Sequence, residues 1–303
     1  MAIQARRMAI DLVHHAGGVV PLLRQGRTLL TIHDLQYVFY PEYFSRSKLA
    51  YLRIVMPRSA EAARLILTPS EFSRRSVIER LNIDPTIVTV VPHGISPKEE
   101  VDPVTDIRER YGIAERFFLY PAALYPHKNH LVLIEAFAMV RETHPDITLV
   151  LTGAKGSMQW GTAKSMEVPI AEEIRKRGVR DHVRSLGYVP ANDLEALYRE
   201  AVALTFPSRF EGFGAPVLEA MARRCPVIAA DATALPEVVQ SAGKLVSPDN
   251  AEQWAHAMIE VLDDDAHRKE LQEAGLERAR TYTWERSADI LEDAYRHVLA
   301  TTL

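Results

Sequence analysis

Short apolar runs rich in β-branched residues alternate along the chain with longer amphipathic stretches, the spacing expected when parallel strands are joined by crossover helices. In the first third the strand pattern falls on Leu12 to His14, Thr28 to Ile32, Leu65 to Thr68 and Ile87 to Val91, with helical stretches near Ser45 to Arg64 and Glu71 to Leu81. The period is lost between Ser96 and Asp106, where SPKEEVDPVTD combines prolines and charges without an apolar face, and this segment predicts a linker. Beyond it the alternation is more regular, with strands at Phe117 to Tyr120, Ile147 to Thr152, Val183 to Leu186, Ala203 to Phe206, Val227 to Ala230 and Lys244 to Val246. Helices fill the intervals, and the tail predicts two more. One of these, Trp284 to Leu299, carries Ile290, Leu291, Tyr295 and Val298 as a one-sided stripe that must pack on another surface. The expected class is α/β, the chain being divided by the linker into two unequal parts, the second a complete doubly wound domain.

Composition narrows the class of protein. With 303 residues, 47% hydrophobic and 25% charged, the chain is long enough for two globular domains. A net charge of -4 with both signs intermixed leaves no basic stripe for a polyphosphate backbone, so nucleic acid is not expected as a partner. No apolar run approaches the roughly 20 residues that span a bilayer, and MAIQARRMAI lacks the apolar core of a signal peptide. The expected location is the cytoplasm, free or peripheral at the inner face of the membrane. Cys225 is the only cysteine, cannot form an intramolecular disulfide, and precedes the buried strand pattern PVIAA, so its expected role is packing.

The densest chemistry lies in SRFEGFGAPVLEAMARR, directly after the strand ALTFP. A helix starting near Ala215 with Pro216 in its first turn presents free N–H groups and a positive dipole end, which suits a phosphate. Gly212 and Gly214 allow the backbone to approach a ligand closely. Glu211 in the turn and Glu219 about one helical turn further in can point into one crevice while holding different parts of a ligand.

Together these residues resemble the signature of family 4 of the glycosyltransferases, two-domain enzymes of the GT-B fold: a glutamate, seven residues, a second glutamate, and an internal GFG. The resemblance implies that Glu211 contacts donor-sugar hydroxyls and Glu219 the ribose, with the amides of Phe213 and Gly214 facing the sugar and those of Val217 and Leu218 the diphosphate. It places Arg209 and Gly153, after the strand Ile147 to Thr152, among the donor-binding residues, and the backbone near Tyr188 and Val189 against the base. The run FFLYPAALYPHKNHLVLIEAF looks like the segment that sets a lysine, here Lys128, on the diphosphate. A fixed cation there stabilises the charge that develops as the glycosidic bond breaks. Many relatives carry an arginine at the position of Ala123. Here either Lys128 acts with the helix amides alone, or Arg209 or His127 supplies that charge. TLLTI followed by HDLQYVFYPEYF resembles the HD loop of a mannosyltransferase-like branch, which implies His33 near the donor sugar and tilts the donor toward GDP-mannose. TPSEFS and VVPHGI match further, although many relatives have asparagine where His93 stands.

Two metal-like patterns carry little. Asp263 to Asp265 fits an acidic DxD but falls at a helix end in a polar tail, and the pairs His127/His130 and His14/His15 lack a third ligand at metal spacing. No metal and no cofactor are expected, the nucleoside diphosphate sugar being a substrate. Relatives begin with two or three more strand–helix units, so the resemblance implies an incomplete, acceptor-side Rossmann-like domain over residues 1–100, a nucleotide-sugar-binding Rossmann-like domain over 101–283, and a terminal helix over 284–303 packing back toward the first, whose open edge is expected to be covered by self-association or a partner. Three functions follow from the resemblance: a retaining, metal-independent hexosyltransferase acting on a saccharide or lipid-linked acceptor, a nucleotide-sugar-binding module without transfer, or a sugar-nucleotide epimerase. A Rossmann dehydrogenase is disfavoured because no G-x-G-x-x-G follows a strand.

Overall fold

The computed structural model describes residues 10–21, 26–96, 107–154 and 165–300. Of the expected linker only Ser96 lies among them. The described residues form two compact units, one running up to Gly94 and resuming at Tyr282, the other running from Ile95 to Thr281.

The first unit holds four parallel strands in sequence order, β1 (Leu12–His15), β2 (Arg27–Thr31), β3 (Leu65–Thr68) and β4 (Val88–Val90). β3 reads LILT and is buried at all four positions, as a strand covered on both faces requires. One face packs Leu30, Ile32 and Ile66 against Met56 and Val77 from the helices Arg46–Ala62 and Glu71–Leu81. Ser45 and Ser70 start those helices by accepting the N–H groups of Lys48 and Ser73, and Asn82 ends the second in the left-handed conformation at φ 53°. The other face packs Leu29, Leu65 and Leu67 against Ala294 and Val298, with Leu291 and Tyr295 partly buried beside them, so the helix Trp284–Ala300 turns most of its predicted stripe to this face, with Ala294 in it and Ile290 outside this cluster. β4 begins at Val88, because Asp84 caps a 3-10 turn over Pro85–Ile87.

The second unit is a six-stranded parallel sheet of β5 (Arg116–Pro121), β6 (Ile147–Thr152), β7 (Val183–Gly187), β8 (Ala203–Phe206), β9 (Val227–Ala230) and β10 (Lys244–Val246). Its order is β10-β9-β8-β5-β6-β7, a doubly wound arrangement whose direction reverses between β5 and β8. In such sheets ligands collect at the carboxyl ends on either side of that reversal. Three helices follow β10, Ala251–Asp263, Asp265–Arg280 and Trp284–Ala300, where the sequence pattern predicts two. The additional boundary is made by Asp264, whose carboxylate accepts the His267 N–H and restarts the chain as a new helix.

Cys225 is buried and its thiol is pushed up to about 12 by burial, which suits packing and not reactivity. Among the described residues no helix is long and apolar enough to cross a membrane.

Candidate functional site

Every strand of the second unit points its carboxyl end the same way, so the loops after β5, β6, β7, β8, β9 and β10 gather Lys128, Gly153, Tyr188, Glu211, Thr233 and Asp249 at one edge. Lys128 follows β5 and Glu211 follows β8, the two strands flanking the reversal. Their side chains meet there: Lys128 Nζ lies 2.5 Å from Glu211 Oε1, with only 17% and 14% of the two side chains exposed. Such an ion pair is screened far less than a surface one.

The turn carrying Lys128 is fixed from three sides. Tyr120 donates its hydroxyl to Lys128 O at 2.5 Å, and Arg209 donates its backbone N–H to His127 O at 2.8 Å. Asn129, buried and left-handed at φ 59°, donates its amide to the carbonyls of Pro207 (3.1 Å) and Pro248 (2.6 Å). That conformation excludes most residues but tolerates asparagine. Burial pushes both His127 and His130 down to about 3, Lys128 adding to the effect, so both are neutral at physiological pH. The Arg209 guanidinium rests on Asp249 at the same edge, with Nε and Nη2 each 2.7 Å from Oδ1.

The glutamate-bearing turn is equally constrained. Glu211 donates its N–H to Thr233 Oγ1 at 3.0 Å. Gly214 has φ +101°, and a Cβ there would lie 2.7 Å from Leu235 Cδ2, so the close approach of that loop requires glycine. The helix Ala215–Met221 begins with Pro216 at its amino end and buries Val217 and Leu218, while Phe213 is also buried. The N–H of Val217 donates to Gly214 O at 3.0 Å. Glu219 is half-buried, and Oε2 accepts the hydroxyl of buried Tyr198 at 2.9 Å.

Gly153 and the loop after β7 come together, Gly153 donating its N–H to Gly187 O at 2.7 Å. Gly153 has φ +133° and a Cβ there would sit 2.5 Å from Ala122 O, so the backbone after β5 also depends on glycine. Tyr188 is 82% exposed, whereas Val189 is buried. Tyr120, Asn129, Tyr198, Thr233 and Asp249 escape a reading of the sequence alone. Asn129, beside Lys128 in PHKNH, carries a weak signal as a residue that tolerates the left-handed conformation.

His33 belongs to the first unit and sits just past β2. Its Nε2–H donates to Ala16 O at 3.2 Å, and Ser73 Oγ donates to the His33 carbonyl at 2.9 Å. Its ring stacks on His93 at 6.0 Å with the planes 13° apart, and His93 in turn meets Trp284 edge-on at 6.4 Å. Burial, then the neighbouring His33, push His93 below the usual histidine range. A cavity of about 860 Å³ opens beside His33, bounded by Gly17, Asp34, Lys48, Tyr51 and Met56.

The acidic triplet Asp263 to Asp265 is already employed: Asp263 meets His144 at 2.9 Å, Asp264 caps its helix, and Asp265 holds Arg268 at 2.6 Å.

The family model described as glycosyl transferases group 1 matches residues 104–278, and that of glycosyltransferase family 4 matches residues 1–99. The chain is 30% identical over 293 residues to O-antigen chain mannosyltransferase B of Escherichia coli, covering 94% of this chain and 74% of that protein. Among solved structures it resembles sucrose-phosphate synthase from Thermosynechococcus elongatus (TM-score 0.80, 23% identity, 99% of this chain and 76% of that one). It also resembles HepE of Anabaena in complex with UDP-glucose (TM-score 0.79, 21% identity, 96% of this chain and 81% of that one). The fold is GT-B.

Proposed function

The chain belongs to the group 1 and family 4 glycosyltransferases, and from that premise we propose that it moves a hexose from a nucleoside diphosphate sugar to an acceptor hydroxyl with retention at the anomeric carbon. The observation that carries this reading is the Lys128–Glu211 pair at the reversal point of the second sheet. An ammonium and a carboxylate side by side match the two halves of a nucleotide sugar, an anionic diphosphate and a ring of hydroxyl donors.

In this reading Lys128 holds the diphosphate and stabilises the charge that grows on it as the anomeric bond breaks. Arg209, released from Asp249, is the second cation, and the two together serve without a metal. Glu211 accepts hydrogen bonds from sugar hydroxyls. Glu219, oriented by Tyr198, accepts from the ribose, and the loop at Tyr188 and Val189 meets the base. The departing phosphate takes the acceptor proton on the same face of the sugar. The likeness to the Escherichia coli mannosyltransferase supports GDP-mannose as donor. The cavity beside His33, with an apolar floor at Ile32 and Met56 and a polar rim at Asp34 and Lys48, is proposed for a saccharide or lipid-linked acceptor.

The test is a thermal-shift panel of nucleotide sugars, followed by transfer with the best donor and NMR assignment of the new anomeric centre. GDP-mannose should raise Tm most, and the product should keep the donor configuration with EDTA present. An inverted product, or activity lost to EDTA and restored by manganese, would refute the mechanism. Donor binding without transfer to saccharide or lipid-linked acceptors would leave a binding module.

A further inference from the structure

Thr233 lies in the loop after β9, outside the residues given a role above, and its backbone is unusual. It adopts φ 53°, the left-handed region, which a β-branched side chain rarely occupies and which glycine or asparagine fills at little cost. Strained residues of this kind persist where the surroundings over-determine them, and they cluster at working sites. Here the side chain has a specific partner: Thr233 Oγ1 accepts the backbone N–H of Glu211 at 3.0 Å. Two residues further on, Leu235 fills the space that a Cβ on Gly214 would need, its Cδ2 only 2.7 Å from that position. The loop from Thr233 to Leu235 therefore touches both ends of the turn from Glu211 to Gly214. A glycine at 233 would relieve the backbone but leave the Glu211 N–H without its acceptor.

Resting on the function proposed above, we propose that Thr233 is a positioning residue for the donor sugar. Its hydroxyl fixes the Glu211 backbone so that the carboxylate reaches sugar hydroxyls from the same place in every turnover. The strain at φ 53° is retained because only a side chain bearing a hydroxyl at this Cβ supplies the acceptor. Valine would keep the shape and the strain without the acceptor, and serine would keep the acceptor with less branching.

The experiment compares the full chain with Thr233→Gly, Thr233→Val and Thr233→Ser in three readouts: Tm, hydrogen exchange at the Glu211 amide, and calorimetric binding of GDP-mannose and GDP. Thr233→Gly should hold or raise Tm while Glu211 exchange quickens about tenfold, because one hydrogen bond is lost and strain is relieved. GDP-mannose should bind about 5- to 10-fold more weakly and GDP within about twofold of the wild-type chain, since the carboxylate keeps its charge beside Lys128 and loses only its aim at the sugar. Thr233→Ser should restore exchange and donor binding, and Thr233→Val should not. A merely structural threonine would instead lower Tm, donor and GDP binding together, with no rescue by serine. That result, or unchanged Glu211 exchange in Thr233→Gly, overturns the assignment. The exchange measurement needs no donor, so failure of the wild-type chain to bind nucleotide sugars refutes the transferase reading separately.

Discussion

Lys128 and Glu211 are each other's partner until a ligand offers both a better one. An incoming diphosphate competes for the ammonium, and a carboxylate losing its cation in a poorly hydrated place needs hydrogen-bond donors at once. Sugar hydroxyls can provide them, whereas free nucleoside diphosphate only adds negative charge beside Glu211. Glu211→Gln is therefore expected to weaken nucleotide-sugar binding about tenfold and to tighten free nucleoside diphosphate. Glu219→Gln retains an acceptor for Tyr198 but loses the charge on the ribose side. It should weaken sugar nucleotide and free nucleotide alike, by about 10- to 150-fold for a charge-assisted bond of roughly 1.5–3 kcal/mol. Isothermal titration of both ligands checks both, and equal effects on free nucleotide would refute the division of labour. The histidines beside the pair give a pH signature. His130 holds a pKa of about 3 when folded against 6.5 as its ordinary value, so between those pH values the unfolded chain binds more protons. Its contribution to stability is complete above pH 6.5 and is lost as pH falls toward 3, at up to about 1.4 kcal/mol per pH unit. Urea titrations at pH 7 and pH 5 should show a smaller loss for His130→Leu than for the wild-type chain.

At the scale of elements, the loops do the work that the strands make possible, and the two differ in how far sequence exposes them. Strands β3, β6, β8, β9 and β10 fall on the residues that the pattern predicts, because short apolar runs bounded by turn residues and set between longer amphipathic stretches favour strands over helices. The glutamate turn is legible for a related reason: Gly212 and Gly214 beside Glu211 are hard to explain except by a close backbone approach. Thr233, Tyr198 and Asn129 act through contacts to residues 22, 21 and 78 positions away, which no local pattern encodes. The boundary at Asp264 was hidden because helical residues lie on both sides and only the cap marks the break. Gly214 tests the loop argument directly. Gly214→Ala sets a Cβ against Leu235 at φ +101°, a conformation worth about 1–3 kcal/mol in strain for a non-glycine residue. Tm should fall by several degrees and donor binding should weaken with it. Leu235 is itself fully buried, so its truncation lowers Tm, but Gly214→Ala should cost less in a Leu235→Ala background than in the wild-type chain, because the clash is gone there while the backbone strain remains. No further cost of Gly214→Ala in that background would mean that φ at 214 costs nothing.

The whole molecule is two cores on one chain, and the first of them is discontinuous in sequence. Its sheet faces are closed by different means: one by the helices Arg46–Ala62 and Glu71–Leu81, the other by Trp284–Ala300, which the chain reaches only after building the entire second unit. Three links tie that helix down. Val298 and Ala294 pack on Leu29, Leu65 and Leu67, Tyr295 OH meets His14 Nδ1 at 2.9 Å, and Ser287 Oγ donates to Pro92 O at 2.6 Å. The second unit owns a separate core around Phe117, Phe118, Phe137 and Trp254, all fully buried. A lesion in the terminal helix should therefore be felt by one unit alone. Val298→Asp places a carboxylate where the wild-type residue is 1% exposed and packed among Leu29, Leu65 and Leu67, a change expected to cost the first unit about 4 kcal/mol or more. Calorimetry should then resolve two transitions, the lower from the first unit and the upper from the second. Nucleotide should raise only the upper one, because Lys128, Glu211 and Glu219 all belong to the second unit. Transfer should be lost while nucleotide binding persists within about twofold. A single transition lowered as a whole, with nucleotide binding lost in parallel, would show that the two cores fold as one and that the terminal helix supports both.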